Sequence, residues 1–357
     1  MSGDARDEDG AAGKDPGGST GKAPAQTGKV VVTGAAGFIG SHLVESLRRG
    51  GAHVVGIDRK ASWTEREIQP SATMGSLHAI RGDLAFSDLA ECLEDASVVF
   101  HLAALPGVRP SWTQFPEYLH CNVLATQRLM DACVRAGVPR VVMASSSSVY
   151  GGAEGRMSED DLPRPLSPYG VTKLAAERLA LAFAARRDAA LTVSALRFFT
   201  VYGPGQRPDM FISRVIGAAL QGRPIEVYGD GTQVRDFVHV FDIVRALTLA
   251  AGAPGRGSTV LNVGTGSASS VNEVLALTGE LTGVRPDVRY GAARIGDVRC
   301  TTADVSRAER RLGFTARTPL RAGLATQVEW ARRTLTASPH APTTGGGRIG
   351  MTPTDRA

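Results

Sequence analysis

Lysine is nearly absent from this chain. Of its 40 basic residues only five are lysine, and a single one, Lys173, follows Lys60. Where arginine serves almost every cationic position, an isolated lysine points to a site that needs lysine chemistry. Cysteine is scarce as well. Cys92, Cys121, Cys133 and Cys300 stand apart with no C-x-x-C pair, which argues against a disulfide framework or a thiolate metal site and for reduced thiols in the cytoplasm. No apolar run reaches the about 18 residues of a membrane helix, and the polar N-terminus lacks the regions of a signal peptide. Recognition-helix patterns and aromatic–basic RNA motifs are missing too. The net charge of +5 is spread over dispersed arginines, so a solvated surface able to welcome a phosphate-bearing ligand is expected, with no nucleic acid or membrane partner.

What is present is a chain of 357 residues with 43% apolar content, enough for one large or two modest domains. Residues 1–28 and 338–357 hold too few large apolar side chains to offset chain entropy, and flexible tails are expected there. Between them, apolar runs alternate with amphipathic stretches. "KVVVTG", "HVVGID", "LHAIRGD", "SVVFHLAA", "RVVMASSS" and "LTVSALRF" read as strands, with helices over about 38–49, 87–94, 116–136 and 168–187. Strands separated by helices predict crossover connections and a parallel sheet covered on both faces. The fold class is α/β: a Rossmann doubly wound parallel sheet over 29–200 with a return segment around 236–264. Residues 201–235 and 265–335 should form a smaller C-terminal α/β lobe, with helices near 208–222 and 270–283.

"VVVTGAAGFIGSHL" sets Gly34, Gly37 and Gly40, with Phe38 and Ile39, directly after a strand and at the start of a helix. Such a turn lets backbone N–H groups approach a pyrophosphate, and the helix N-terminus adds favourable partial charge. The spacing is G-x-x-G-x-x-G. The next strand ends in Asp58, placed to accept hydrogen bonds from an adenosine ribose, which favours NAD. Arg59 follows and could tolerate a 2′-phosphate, so NADP stays open. Asp83 and Leu84 of "GDL" would flank the adenine, with Asp83 as a turn residue the alternative. Ala103 and Ala104 of "HLAA" provide small residues beside which a cofactor can pass, with Leu102 a further cofactor contact.

Tyr169 and Lys173 lie four residues apart at the start of a predicted helix and share one face. A phenol with a pKa of about 10 is a poor base at neutral pH, and an adjacent ammonium favours its ionised form. Lysine's compact head also bonds ribose hydroxyls better than a guanidinium fork. Ser145 to Ser148 are costly at a buried strand end unless they bond something. Ser146 could share a proton relay with Tyr169, while Tyr150 reads as structural.

In this order, "TGAAGFIGSHL", "GDL", "HLAA", "SSSSVYG", "YGVTK", "LRFFTVYGP", "VRDFVHV", "NVGTG" and "RIGDV" resemble the extended short-chain dehydrogenase/reductase family. Within it the chain is most similar to NAD-dependent nucleotide-sugar epimerases and dehydratases, over about residues 29 to 335. The resemblance implies bound NAD, a UDP- or dTDP-sugar substrate and a homodimer built on the 116–136 and 168–187 helices. It also implies a catalytic set of Ser146, Tyr169 and Lys173, and adds Asn122 to the cofactor contacts. Arg235 and Arg294 match positions that pair with the nucleotide diphosphate, and Asp297 is a further candidate for the substrate; Arg109 is a weaker candidate for phosphate or for a neighbouring loop.

The family's dehydratases carry Asp-Glu where this chain has Ser147 and Ser148, and its decarboxylases carry Glu at the second position. Without those acids, what remains is rotation of a 4-keto sugar and return of the hydride to its other face, a C4 epimerisation. "LRFFTVYGPGQRPDM" and "HLAALPGVRPSW" look more like UDP-glucuronate 4-epimerases than UDP-glucose 4-epimerases. Arg207 could pair bidentately with a C6 carboxylate, helped by Ser147, Ser148 and Thr200; a plain lobe-packing arginine is the alternative. The family's "GPWGRPDM" is "GPGQRPDM" here. The expectation is epimerisation of UDP-glucuronate to UDP-galacturonate, ahead of UDP-glucose epimerisation, decarboxylation, or a non-catalytic NAD-binding regulator.

Overall fold

The computed structural model describes residues 28–337, except 61, 64–65, 153–154, 256 and 293–297. The expected tails therefore lie outside the described residues, apart from Gly28. Eight strands make the central sheet: β1 (Lys29–Thr33), β2 (His53–Asp58), β3 (Arg66–Ile68), β4 (Leu77–Arg81), β5 (Val98–His101), β6 (Arg140–Ser146), β7 (Thr192–Phe198) and β8 (Thr259–Val263). Their order is β8-β7-β6-β5-β1-β2-β4-β3. All pairs are parallel except β3 with β4, which is antiparallel. The three residues of β3 carry no apolar alternation, and nothing in the chain announced this edge strand.

Alternation within each strand covers both faces. Val30 and Val32 join Leu43, Val44 and Leu47 of helix α1 (Phe38–Arg49) in one core. Val31, between them, faces Leu129, Met130 and Cys133 of α2 (Ala125–Arg135) and Ala176 and Ala180 of α3 (Pro168–Ala184) in the other. The helix predicted over 116–136 is instead three pieces: Phe115–Tyr118, a π-helical turn Leu119–Leu124, and α2. A π-turn widens the helix locally, which periodicity does not reveal.

After β2 the chain adds strands outward to β4, then returns across β1 to place β5 on its other side. The strand ends diverge there, and such a switch point opens a crevice at the carboxyl ends. Outside the sheet, helices Phe211–Leu220, Val271–Thr282 and Leu320–Ala337 share a core through Ile212, Ile216, Val274, Leu324 and Val328. A second small core sets Val215 and Leu275 against Ile225 and Val227 of a two-stranded parallel pair.

One ion pair ties α3 to the sheet. Glu177 and Arg197 are buried, with Arg197 Nε 2.9 Å from Glu177 Oε2 and Nη2 2.7 Å from Oε1. Ser145 Oγ donates to the same Oε2 at 2.7 Å, and Arg197 Nη1 donates to the Tyr150 hydroxyl at 2.8 Å. Tyr150 in turn donates to Asn262 Oδ1 at 2.7 Å. Burial pushes the Tyr150 phenol up to about 12, so it acts as the structural residue its place suggested. Removing one member leaves the other charged and unpaired. Glu177→Leu and Arg197→Met should each cost about 3–5 kcal/mol in urea unfolding. The double variant should recover most of that loss; additive losses would show that the pair does not account for them.

Candidate active site

The glycine turn is built as its spacing suggested. Gly34 has φ +71°, and a Cβ there would lie 2.7 Å from Ala103 N. A Cβ on Gly40 would fall 2.0 Å from Gly34 O, inside any permitted contact. The turn is thus pressed against β5 and α1 with no side chain between, leaving its outer edge to the cleft. Asp58, at the end of β2, is mostly buried, and its oxygens accept from Ala36 N and Lys60 N at 2.9 Å each. Carboxylate oxygens hold further lone pairs, so the donors of a ribose can still be met. Asp83 Oδ1 accepts from Ala85 N at 3.0 Å, while Oδ2 lies 3.1 Å from His120 Nε2. Asp83 thus braces its own turn and also lines the cleft.

The cleft has a volume of ≈ 730 Å³ and runs from this turn to the start of α3. Gly34, Gly37, Phe38, Ile39 and Gly40 line its first section, with Asp58, Arg59, Asp83 and Leu84 beyond. Leu102, Ala103 and Ala104 form its floor. At the far end stand Ser146, Ser147, Ser148, Tyr169 and Lys173, with Thr200, Arg207 and Arg235 reaching in from the following segments. Glycine cradle, acidic strand end and small-residue floor are the donor set and the free space an adenine dinucleotide requires, so the residues present fit NAD.

Two candidates lie outside the cleft lining. Asn122 is buried on the π-turn; its Oδ1 accepts from Leu105 N at 2.7 Å and its Nδ2 donates to Leu105 O and Thr172 Oγ1 at 3.1 and 3.0 Å. It fixes the loop after β5 from behind. The Arg109 guanidinium lies over the ring of Tyr228, the last residue of strand Ile225–Tyr228, at 4.6 Å. Arg294 and Asp297 lie outside the described residues. Gln206, Met210 and Thr301 also line the cleft and were not foreseen. Gln206 and Met210 flank Arg207 in the quoted GPGQRPDM stretch, and Thr301 sits in no motif; the closing of the second lobe over the sheet brings all three there.

At the catalytic end, Ser167 caps α3, accepting from Gly170 N at 3.1 Å, and Pro168 occupies the first turn. Tyr169 N donates to Ser111 Oγ at 3.1 Å. Burial raises the Tyr169 phenol above its ordinary value, opposed by a hydrogen bond with Ser146 and by the charge of Arg207. Ser146 Oγ also accepts from Ser148 N at 3.1 Å, which fixes its rotamer. Lys173 Nζ donates to Ala144 O at 2.7 Å, and burial brings its pKa down to about 8, with Glu177 acting the other way. Lys173 therefore titrates in an accessible range.

Among the described residues no cluster of His, Cys, Asp and Glu could hold a metal ion, and the four cysteines are free. No helix there is long and apolar enough to cross a membrane.

A doubly wound sheet with a glycine cradle, and a tyrosine and lysine one helical turn apart at the far end of its cleft, defines a dinucleotide-dependent enzyme acting on a hydroxyl-bearing carbon. Residues 30–264 match the NAD dependent epimerase/dehydratase family, and the chain belongs to it; its cofactor is NAD. The chain is 72% identical to MoeE5, solved in complex with UDP-glucose and NAD and with UDP-glucuronic acid and NAD; the match covers 86% of this chain and 100% of that one, with a TM-score of 0.81. A UDP-glucuronic acid 4-epimerase from Bacillus cereus, in complex with UDP-glucuronic acid and NAD, is 36% identical over 86% of this chain and 99% of its own, with a TM-score of 0.78. An uncharacterized UDP-glucose epimerase, YtcB of Bacillus subtilis (strain 168), is 40% identical over 85% of this chain and 97% of its own.

The sign of the pH dependence follows from Lys173. Its ammonium is present below about 8 and lost as pH rises through that value. A reaction that needs the charged lysine should lose kcat/KM on an alkaline limb near pH 8. A profile flat to pH 10 would remove the charged lysine from the rate-limiting step.

Proposed function

We propose that the chain is a UDP-sugar 4-epimerase converting UDP-glucuronate to UDP-galacturonate. The observation that carries the substrate is Arg207, which lines the cleft and whose charge is felt by the Tyr169 phenol. Arg207 Nε donates to Asp209 Oδ1 at 2.9 Å and Nη2 to Asp209 Oδ2. That side-on pairing engages one edge of the guanidinium and leaves Nη1 uncommitted to Asp209.

In this reading Tyr169 takes the proton of the sugar C4 hydroxyl, with the Ser146 hydroxyl shared between them. Bound NAD supplies the acceptor and donor of the C4 hydride. Lys173 keeps positive charge behind the phenol, stabilising its ionised form. Rotation of the 4-keto sugar presents its other face, and Tyr169 returns the proton to the new hydroxyl. Ser147 and Ser148 supply no acid or base for elimination.

A 4-keto uronate is a β-keto acid. It loses CO2 when the breaking C–C bond aligns with the ketone π system. Arg207, Ser147, Ser148 and Thr200 would hold the carboxylate out of that alignment. Charge-assisted hydrogen bonds contribute roughly 1.5–3 kcal/mol each, so Arg207→Ala should raise KM for UDP-glucuronate about 10- to 100-fold. UDP-glucose should change little, and a decarboxylated pentose should appear among the products by NMR. Equal losses on both sugars would take Arg207 out of this role.

UDP-glucose is the second reading, favoured by the complex of MoeE5 with that sugar and by the name of the B. subtilis relative. Rapid turnover of UDP-glucose with none of UDP-glucuronate would select it. A non-catalytic regulator has no use for an aligned Ser146, Tyr169 and Lys173. Tyr169→Phe should lower kcat by about 10²- to 10⁴-fold with NAD still bound; a biological role untouched by that change would favour the regulator.

A further inference from the structure

Arg207 directly follows a position that turns into the protein. Gln206 fills the place with a buried amide. It is 4% exposed, and its Nε2 donates to Val201 O at 2.9 Å. Its Oε1 accepts from Ser213 Oγ at 2.9 Å and from Gln327 Nε2 at 2.9 Å. Gln327, 1% exposed, accepts on Oε1 from Gly203 N at 2.9 Å and donates from Nε2 to Ser213 Oγ at 3.1 Å. His42 of α1 holds the same loop from the other side, with Nε2 2.8 Å from Pro204 O.

The loop needs these anchors. Gly203 has φ +138° and Gly205 φ +79°, so two of its positions have the freedom only glycine offers. Backbone of this kind, with no side chain at two of its positions, does not by itself hold the next residue to the tolerance that substrate positioning demands. Gln206 and Gln327 supply what is missing, one from the loop and one from helix Leu320–Ala337. Both side-chain amides are satisfied on donor and acceptor, and a fully satisfied buried network rigidifies its surroundings.

We infer that Gln206, locked by Gln327 and Ser213, is a positioning residue that sets Arg207 for recognition of a substrate carboxylate. This rests on the UDP-glucuronate reading above. Gln206 acts through the backbone it shares with Arg207, while Asp209 orients the guanidinium at the other end. Gln327 lies outside the cleft lining, so any effect of changing it on sugar choice must pass through the loop.

The test uses the full chain with NAD and three forms: wild type, Gln206→Met and Gln327→Met. Methionine keeps side-chain length and removes the amide. For each form, KM and kcat are measured with UDP-glucuronate and with UDP-glucose, or the dissociation constant where turnover is slow. Pentose product is followed by NMR and thermal stability is recorded separately. Both variants should raise KM for UDP-glucuronate about tenfold, since misplacement of a positioning group by about 1 Å can cost as much as 10²-fold. The change for UDP-glucose should be several times smaller, and the pentose fraction should rise. A parallel loss on both sugars, or a fall in stability with the sugar ratio unchanged, would reduce the network to a structural brace and overturn the inference. Failure of Gln327→Met to reproduce Gln206→Met would also overturn it, by showing direct substrate contact. If wild type leaves UDP-glucuronate untouched, the carboxylate reading fails first and this inference falls with it.

Discussion

The site depends on the burial of one ion pair beneath it. Tyr169, Lys173 and Glu177 recur at four-residue intervals on α3, so they form a column along one face. Glu177 is the inner end of that column, and Arg197 of β7 holds it bidentately. Ser145, next to Ser146, donates to the same carboxylate. The helix that carries Tyr169 and the strand that carries Ser146 are thereby referenced to one buried carboxylate. Burial works against the Arg197 charge, yet bonding to Glu177 keeps its pKa above the ordinary arginine value. Such a pair adds little net stability over apolar residues of equal volume. It does specify rotation and register, because only one setting of α3 satisfies the two Glu177–Arg197 bonds and the Ser145–Glu177 bond while Arg197 also reaches Tyr150 and, through it, Asn262.

Burial also decides the chemistry. It drives Tyr169 and Lys173 in opposite directions: the phenol upward, the ammonium downward. Each shift disfavours the charged form, as desolvation must. Ionising the tyrosine therefore requires positive charge nearby, and the cleft offers Arg207 at one side and Lys173 at the other. A buried lysine that Glu177 still favours as an ammonium can retain charge where an isolated one would surrender it. Arginine could not replace it with the same geometry, since a planar fork does not fit a single acceptor such as Ala144 O as a rotatable ammonium does. The one lysine beyond Lys60 is thus set by its surroundings.

Much of this was legible in the chain because it is local. Gly34 to Gly40 announce a backbone approach, Asp58 ends the following strand, and Tyr169 with Lys173 share a helix face; each depends on residues within a turn or a strand of one another. The six strands read from apolar runs all form. What was hidden is non-local or lacks periodicity. Glu177 and Arg197 pair across 20 residues and Gln206 and Gln327 across 121; no spacing rule links either pair. Asn122 carries the residue type of a ligand contact, but its place on a π-turn gives its amide to Leu105 and Thr172. Arg109 has an aromatic neighbour, Tyr228, that only the second lobe brings into reach.

The proposed substrate makes two demands that conflict. The 4-keto sugar must turn over between the two hydride transfers, so its carboxylate cannot be held in one place throughout. Yet a carboxylate released into free rotation would sample the alignment that expels CO2. A second fixed cation would strengthen holding and oppose the turn. Ser147, Ser148 and Thr200 are small neutral donors lining the same end of the cleft as Arg207, and hydroxyls rotate to suit whichever acceptor arrives. One stiffly mounted guanidinium with a field of hydroxyls around it can exchange partners as the carboxylate moves while denying it free rotation. The acid and base that dehydratases carry at positions 147 and 148 would disturb that balance by adding charge where the uronate must pass. On this reading the serines do more than lack dehydratase chemistry: their neutrality is a condition for turning a charged sugar over intact.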